Sequence, residues 1–347
     1  MIAKKKYFYS ALVSLLIIAA LAYTFYGNSQ SYLNGIYKKE VQGEVYTTTH
    51  QHKVDRILDI AQTDARIKNI ILLIGDGMGV SHVFAGFSAN NDQLYIQYAK
   101  HIGFQKTKSK NKYKTDSAAA GTALACGKKT NNGSLGMDEN NQPLESILSI
   151  AATHGKATGL VAACKITHAT PAAFIAHVPS RGQYEDIAEF FVNSYLDVMI
   201  GGGLDNFNKR EDEKNLLPAL EQEGFQIAYS MDEMDKIQSG KVAGLYTGGH
   251  IAKYPERGEF LPRSTEKALE ILSQDTNGFF LMVEGSQIDW AGHDNSVAYV
   301  VEEMLDFDRS VGKALKFAEK DGHTLVIITA DHETGGMSVH HTYNNIN

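Results

Sequence analysis

The sequence predicts an α/β fold: a large, mostly parallel central sheet sandwiched between helices. Five short runs of branched apolar residues point to it first: NIILLIG (69–75), ATGLVAA (157–163), DVMIGG (197–202), GFFLMVEG (278–285) and TLVIITA (324–330). Each has the length of a strand buried on both faces. Stretches of helical periodicity separate these runs, as crossovers between parallel strands require. The chain has 347 residues, 43% of them hydrophobic, which is enough for one large core.

The elements follow in order. At the start, KKK (4–6) leads into the uncharged run YFYSALVSLLIIAALAYTFY (7–26). A run of this length can span a bilayer with the lysines held on the cytoplasmic side. It also contains Ala20-Leu21-Ala22, a small-residue pattern that a signal peptidase can cut. Residues 1–26 are therefore read as an export signal, cleaved or kept as an anchor in the inner membrane. The remainder is expected in the periplasm or another extracytoplasmic space. Residues 27–66 read as a polar tether that ends in a first helix, KVDRILDIAQ (53–62). From 67 to 347 strands alternate with helices, the clearest being PLESILSIAATHG (143–155), EDIAEFFVNSYL (185–196), RSTEKALEILSQ (263–274) and YVVEEMLDFDRSVGKALKFAEK (299–320). No repeat and no Pro-rich or Ser-rich linker divides this stretch, so it is read as one domain with insertions.

Charge and cysteine content exclude several classes. A net charge of -7 gives no broad basic surface, so a nucleic-acid partner is not expected, and a phosphate would have to be met by local cations or metals. Only Cys126 and Cys164 are present, which rules out a disulfide-rich scaffold and leaves one bridge or two buried thiols.

In open parallel sheets the ligand sits beyond the carboxyl ends of the strands. The residues there are Asp76, Glu284, Asp289 with His293, and Asp331 with His332. Acids gathered in one place repel, and divalent cations resolve that repulsion. Asp and His together suit zinc, whereas Glu beside a Thr hydroxyl suits magnesium. The spacing of Asp289 and His293 puts both on one face of a helical segment.

Other motifs are more equivocal. LLIGDGMG lacks the dinucleotide fingerprint and reads either as a strand-to-helix turn or as a ligand-bearing loop. In KTDSAAAGTALACG, Ser117 opens a helix of small residues whose N-terminal dipole favours an attached anion, though Asp116 or Ser117 could equally be a plain cap. With no Ser-His-Asp triad to assign, a metal is the expected activator of that hydroxyl. Arg181, in HATPAAFIAHVPSR with His168 and Thr170, offers a fork that fits phosphate or is a surface cation.

Taken together and in order, NIILLIGDGMG, TDSAAAGTALACGKKTNNGSLG, HATPAAFIAHVPSR, LMVEGSQIDWAGHDN and TADHETGG closely resemble the alkaline phosphatase family of metal-dependent phosphomonoesterases. The resemblance runs from Asn69 to Gly336. It implies an alkaline-phosphatase-like sheet, small phosphomonoester substrates, a phosphoserine intermediate, two zinc ions and one magnesium ion, with a homodimer among the assemblies it allows. Ser117 would be the nucleophile and Arg181 the phosphate clamp. One zinc would take Asp76, Asp331 and His332, the other Asp289, His293 and a further histidine, and magnesium Asp76, Thr170 and Glu284. Asp116, His168 and Trp290 would stand beside these groups. At His168 and Trp290 some members carry Asp and Lys. The resemblance also implies a last zinc-ligating histidine some tens of residues past TADH, followed by a closing strand, whereas fifteen residues follow His332 here. The catalytic domain at 67–347 is therefore expected to be short at its C-terminus, without that strand. Its second zinc position should lack a ligand unless His340 or His341 supplies one. Two readings compete with a working phosphomonoesterase: a metal- or phosphate-binding protein with impaired turnover, and another hydrolase on the same metal core.

Overall fold

The computed structural model describes residues 17–24, 26, 46–58 and 66–339. Contacts divide the chain into a large unit, Thr47–Met337, and a small one, Met1–Tyr46 with Ser338–Asn347. In the small unit residues 17–24 are helical. No helix among the described residues is long and apolar enough to cross a membrane. Most of the expected export segment, the tether at 27–45, residues 59–62 of the expected first helix, and His340 and His341 lie outside the described residues.

The large unit is built on seven described strands: β1 (Asn69–Gly75), β2 (Ala157–Lys165), β3 (Val198–Gly202), β4 (Phe225–Ala228), β5 (Lys241–Leu245), β6 (Phe279–Gly285) and β7 (Thr324–Ala330). They form one sheet in the order β4-β5-β3-β2-β6-β1-β7, and every pairing is parallel. The five expected runs are β1, β2, β3, β6 and β7. Sequence reading passed over β4 and β5, which are short and stand at the far edge; β4 also exposes Gln226 mid-strand.

Helices cover both faces: α1 (Val80–Ala89), α2 (Ser117–Cys126), α3 (Ile147–Thr153), α4 (Tyr184–Glu189), α5 (Phe260–Leu272), α6 (Gln287–His293) and α7 (Val297–Asp321), with several shorter turns. Alternation along the strands decides which core a residue joins. Ile71, Leu73, Val161 and Val283 pack with Leu261 and Leu269 of α5 and Met304 and Phe307 of α7. Leu72, Ile74, Leu160 and Met282 face the other way, onto Ala118 of α2, Leu148 of α3 and Ile187 of α4. α7, 25 residues long, packs on β6, β1 and β7, capped by the Ser296 hydroxyl and ended by Gly322 at φ 75. Its buried Glu303 and Asp306 each lie 2.6 Å from Nη2 of the equally buried Arg257, which fixes the loop before α5.

Two expected helices come out differently. The stretch 185–196 is helical only through α4, because Asn193 takes φ 56 and the chain turns there toward β3. Residues 53–58, the described part of the expected first helix, run without regular structure. Their backbone is held instead by the body of the protein: Asp55 N–H donates to the Tyr95 hydroxyl at 3.1 Å and Leu58 N–H to Glu319 at 2.5 Å.

Candidate metal centre

Strand register assembles the centre. Gly75 of β1 lies opposite both Gly285 of β6 and Ala330 of β7, so the residues that follow emerge together at one sheet edge. Asp76 and the pair Asp331-His332 follow directly, α6 brings Asp289 and His293 one turn later, and Glu284 sits one residue earlier, between Ile74 and Ala162. Gly77 makes the turn after β1 at φ 69, and a Cβ there would come within 2.7 Å of Asp289 Cα and 2.8 Å of Thr334 Oγ1. Its N–H donates to Asp331 Oδ1 at 3.0 Å, and its carbonyl accepts from Thr334 N–H at 3.1 Å. The GDG turn is thus a close three-way junction rather than a nucleotide loop.

The start of α2 supplies the hydroxyl. Asp116 is the cap: its Oδ1 accepts from Ala119 N–H and its Oδ2 from Gly133 N–H, both at 3.0 Å. Ser117 is therefore free of capping duty, and its side chain stands at the positive end of the helix dipole. Gly121, one turn on, lets α2 lie against the turn Ala169–Ala172, where a Cβ would already be 3.4 Å from Thr170 Cα.

At the centre, Ser117 Oγ is 3.5 Å from Asp76 Oδ1 and 3.4 Å from His332 Nε2. His332 Nε2 is in turn 3.3 Å from Asp331 Oδ2 and 3.6 Å from Asp76 Oδ1. Asp76, Asp331 and His332 each offer one ligand atom within 4.8 Å of the others. Thr170 Oγ1 lies 3.5 Å from the second Asp76 oxygen. Thr334 joins the next group, donating to Asp289 Oδ1 and lying 3.1 Å from His332 Nδ1. His293, mostly exposed at the rim, has Nε2 3.5 Å from that same Asp289 oxygen.

The electrostatics call for cations. Burial raises the Asp76 carboxyl well above the usual range, and Asp331, Asp289 and Glu284 push it further. Burial likewise raises Asp331, and raises Glu284 to about 7. Asp331 Oδ2 and Glu284 Oε1 are buried with no hydrogen-bond partner. Acids so placed, with oxygens left unsatisfied and the His332 ring beside them, fit divalent metal ions as their missing partners.

A cleft of about 330 Å³ opens over Ser117, lined by Arg181, Asp289, Trp290, His293 and His332 among others. Arg181 approaches it with Nη1 3.4 Å from Asp116 and Nη2 3.2 Å from His168 Nε2. His168 meets Trp290 edge-on, and His250 packs against both rings. Burial lowers His168 to about 3, helped by Arg181, and lowers His250 to about 4. Every expected site residue within the described chain thus lines the centre or touches a residue that does. Sequence reading missed Thr334, His250, and the Cys164 and Ser286 side chains that donate to Glu284 Oε2 at 3.4 and 2.7 Å. Thr334 lies inside TADHETGG, and parity along β2 marks Cys164 as sharing a face with Ala162, the partner of Glu284.

Comparison with known proteins gives consistent results. The family model described as alkaline phosphatase matches residues 67–346. Alkaline phosphatase 4 of Bacillus subtilis is 41% identical over 296 residues, covering 80% of this chain; the chain spans 64% of that protein's length. Among solved structures, the alkaline phosphatase from the Antarctic bacterium TAB5 superposes with a TM-score of 0.76 at 43% identity, covering 78% of this chain and 81% of that one. A histidine-to-aspartate mutant of the same enzyme, with Mg bound in the M3 site, gives a TM-score of 0.75 at 42% identity over 78% of this chain and 80% of the other.

Proposed function

Because the chain belongs to the alkaline phosphatase family, we propose that it hydrolyses small phosphate monoesters through a phosphoserine at Ser117, served by two zinc ions and one magnesium ion. The observation that carries this reading is the placement of Ser117, with Oγ 3.5 Å from Asp76 and 3.4 Å from His332 beneath a cleft that Arg181 enters. Asp76, Asp331 and His332 would hold one zinc. Asp289 and His293 are the described residues for the other, and Asp76, Thr170 and Glu284 would take magnesium. Bound there, the ions supply Lewis acidity, lowering the pKa of oxygens they hold and offsetting charge on the phosphoryl group.

The protein's own groups do the positioning. Ser117 Oγ attacks phosphorus as the alcohol departs on the opposite side; water then attacks the phosphoserine along the same line and releases the serine with inorganic phosphate. The N-terminus of α2 favours the anion attached to its first residue. Arg181, which lines the cleft with its two terminal nitrogens resting against Asp116 and His168, offers a fork to the equatorial oxygens of a loose transition state. None of these interactions engages the alcohol, so broad tolerance of the leaving group follows. We place the reaction outside the cytoplasm on the strength of residues 4–26. A reporter active only in the cytoplasm, fused after residue 66, should stay dark.

Metal analysis of the purified protein together with turnover of a generic aryl phosphate tests the reading. Steady release of alcohol and phosphate with two zinc ions and one magnesium per chain is expected. One burst of alcohol per chain with no steady rate would make it a phosphate-binding protein instead.

A further inference from the structure

Beside Glu284 the structure holds a donor set of a different character from the oxygen ligands expected of a magnesium site. Cys164, on β2, has its Sγ 3.4 Å from Glu284 Oε2, and His168 completes a group whose ligand atoms all lie within 4.8 Å of one another. All three side chains are buried. Two of their polar atoms, Glu284 Oε1 and His168 Nδ1, have no partner. We propose that Cys164, His168 and Glu284 form a mixed sulfur, nitrogen and oxygen site which, when zinc or cobalt is supplied, takes that thiophilic ion in place of the magnesium assigned above to Glu284.

Ligand chemistry argues for it. Thiolate and imidazole select zinc and its neighbours over magnesium, which wants an octahedron of oxygens. Around a tetrahedral ion with bonds of about 2.0 to 2.3 Å, ligand atoms stand roughly 3.5 Å apart. The Cys164–Glu284 pair is already at that spacing, and the other distances, all within 4.8 Å, shorten by roughly 1.3 Å at most. A thiol that coordinates such an ion gives up its proton to solvent, so burial of Cys164 does not oppose its use. Ligation through His168 Nδ1 would leave the ring proton on Nε2, turning into a donor the atom that now faces Nη2 of Arg181 at 3.2 Å. Two donors cannot share that contact, so filling the site releases Arg181 toward the cleft.

The inference rests on the phosphatase reading only in sharing Glu284 with it, and its test does not need turnover. The protein stripped of metal is titrated with Co²⁺ and followed in the near ultraviolet, where a thiolate-to-cobalt charge-transfer band appears only if sulfur is a ligand. Among the residues assigned to the other two metal positions none is a cysteine. The chain's other thiol, Cys126, lies half-buried at the opposite end of α2 from Ser117. The expected result is a band that saturates at one thiolate per chain, persists in Cys126→Ser, is lost in Cys164→Ser, and is displaced by Zn²⁺ but not by excess Mg²⁺. A wild-type protein that binds cobalt without the band, or a band carried by Cys126, would overturn the proposal. Undiminished turnover of an aryl phosphate in that same preparation would leave the phosphatase reading standing.

Discussion

Asp116 and Ser117 divide two jobs that the start of a helix could have given to one residue. Because the Asp116 carboxylate takes both the Ala119 and Gly133 amides, the serine hydroxyl is left facing Asp76 and His332. Arg181 is the neighbouring group with the most dispensable role. Arg181→Ala should weaken inorganic phosphate as a competitive inhibitor by about tenfold or more while lowering the maximal rate less, since oxyanion donors other than the arginine remain. Equal loss in both parameters would show that it acts only in the transition state. Glu284 yields a pH prediction. Burial lifts its carboxyl from 4.5 to about 7, so in the metal-free protein it favours the fold below about pH 4.5 and loses that contribution as pH rises through 7. His168 and His250, lowered to about 3 and 4, act with the opposite sign, so the comparison must be with a variant at the same pH. Metal-free Glu284→Gln should gain stability on metal-free wild type between roughly pH 5 and 7, by at most on the order of 3 kcal/mol, and then level off. Urea unfolding checks this, and a difference that is flat across the range would contradict it.

At the scale of elements, the centre depends on how closely three turns meet. Gly77, Asp289 and Thr334 leave no room for a side chain at position 77, whose φ of 69 is already unfavourable for one. Gly77→Ala should cost about 1 to 3 kcal/mol and weaken zinc binding together with stability, measured by unfolding and by competition with a chelator. Normal stability with weakened zinc would mean that the turn bends without transmitting strain. Much of this level was legible in the sequence: β1, β6 and β7 announce themselves as apolar runs, and their following acids could be paired from strand ends alone. What escaped was anything set by register or by contacts across the chain. Thr334 bridges Asp289 and His332, and Cys164 reaches Glu284 from the neighbouring strand; neither relation has a local signature. β4 and β5 escaped because four or five residues at a sheet edge carry too little periodicity. Residues 53–58 do not take the expected helix because the side chains of Tyr95 and Glu319 compete successfully for the backbone of residues 55 and 58.

For the whole molecule, the sheet is a platform whose site-bearing edge is held by α7 and the loops packed on it. Arg257, between Glu303 and Asp306, ties one of those loops to α7 with all three charges buried. Among the described residues, removing the guanidinium leaves Glu303 with only the Tyr254 N–H and Asp306 with Arg309 alone, so Arg257→Ala should cost about 3 to 5 kcal/mol in urea unfolding, and Glu303→Gln in the same background should recover part of it. No recovery would mean that packing, not charge, is what the arginine supplies. If this platform delivers a nucleophilic serine to phosphorus, the covalent state can be trapped. The metal-loaded protein is mixed with a ³²P-labelled monoester at low pH, quenched in acid and digested. The label is expected on the peptide carrying Ser117 and should vanish in Ser117→Ala along with turnover. Phosphate release that continues in Ser117→Ala, or label carried by any other residue, would contradict it.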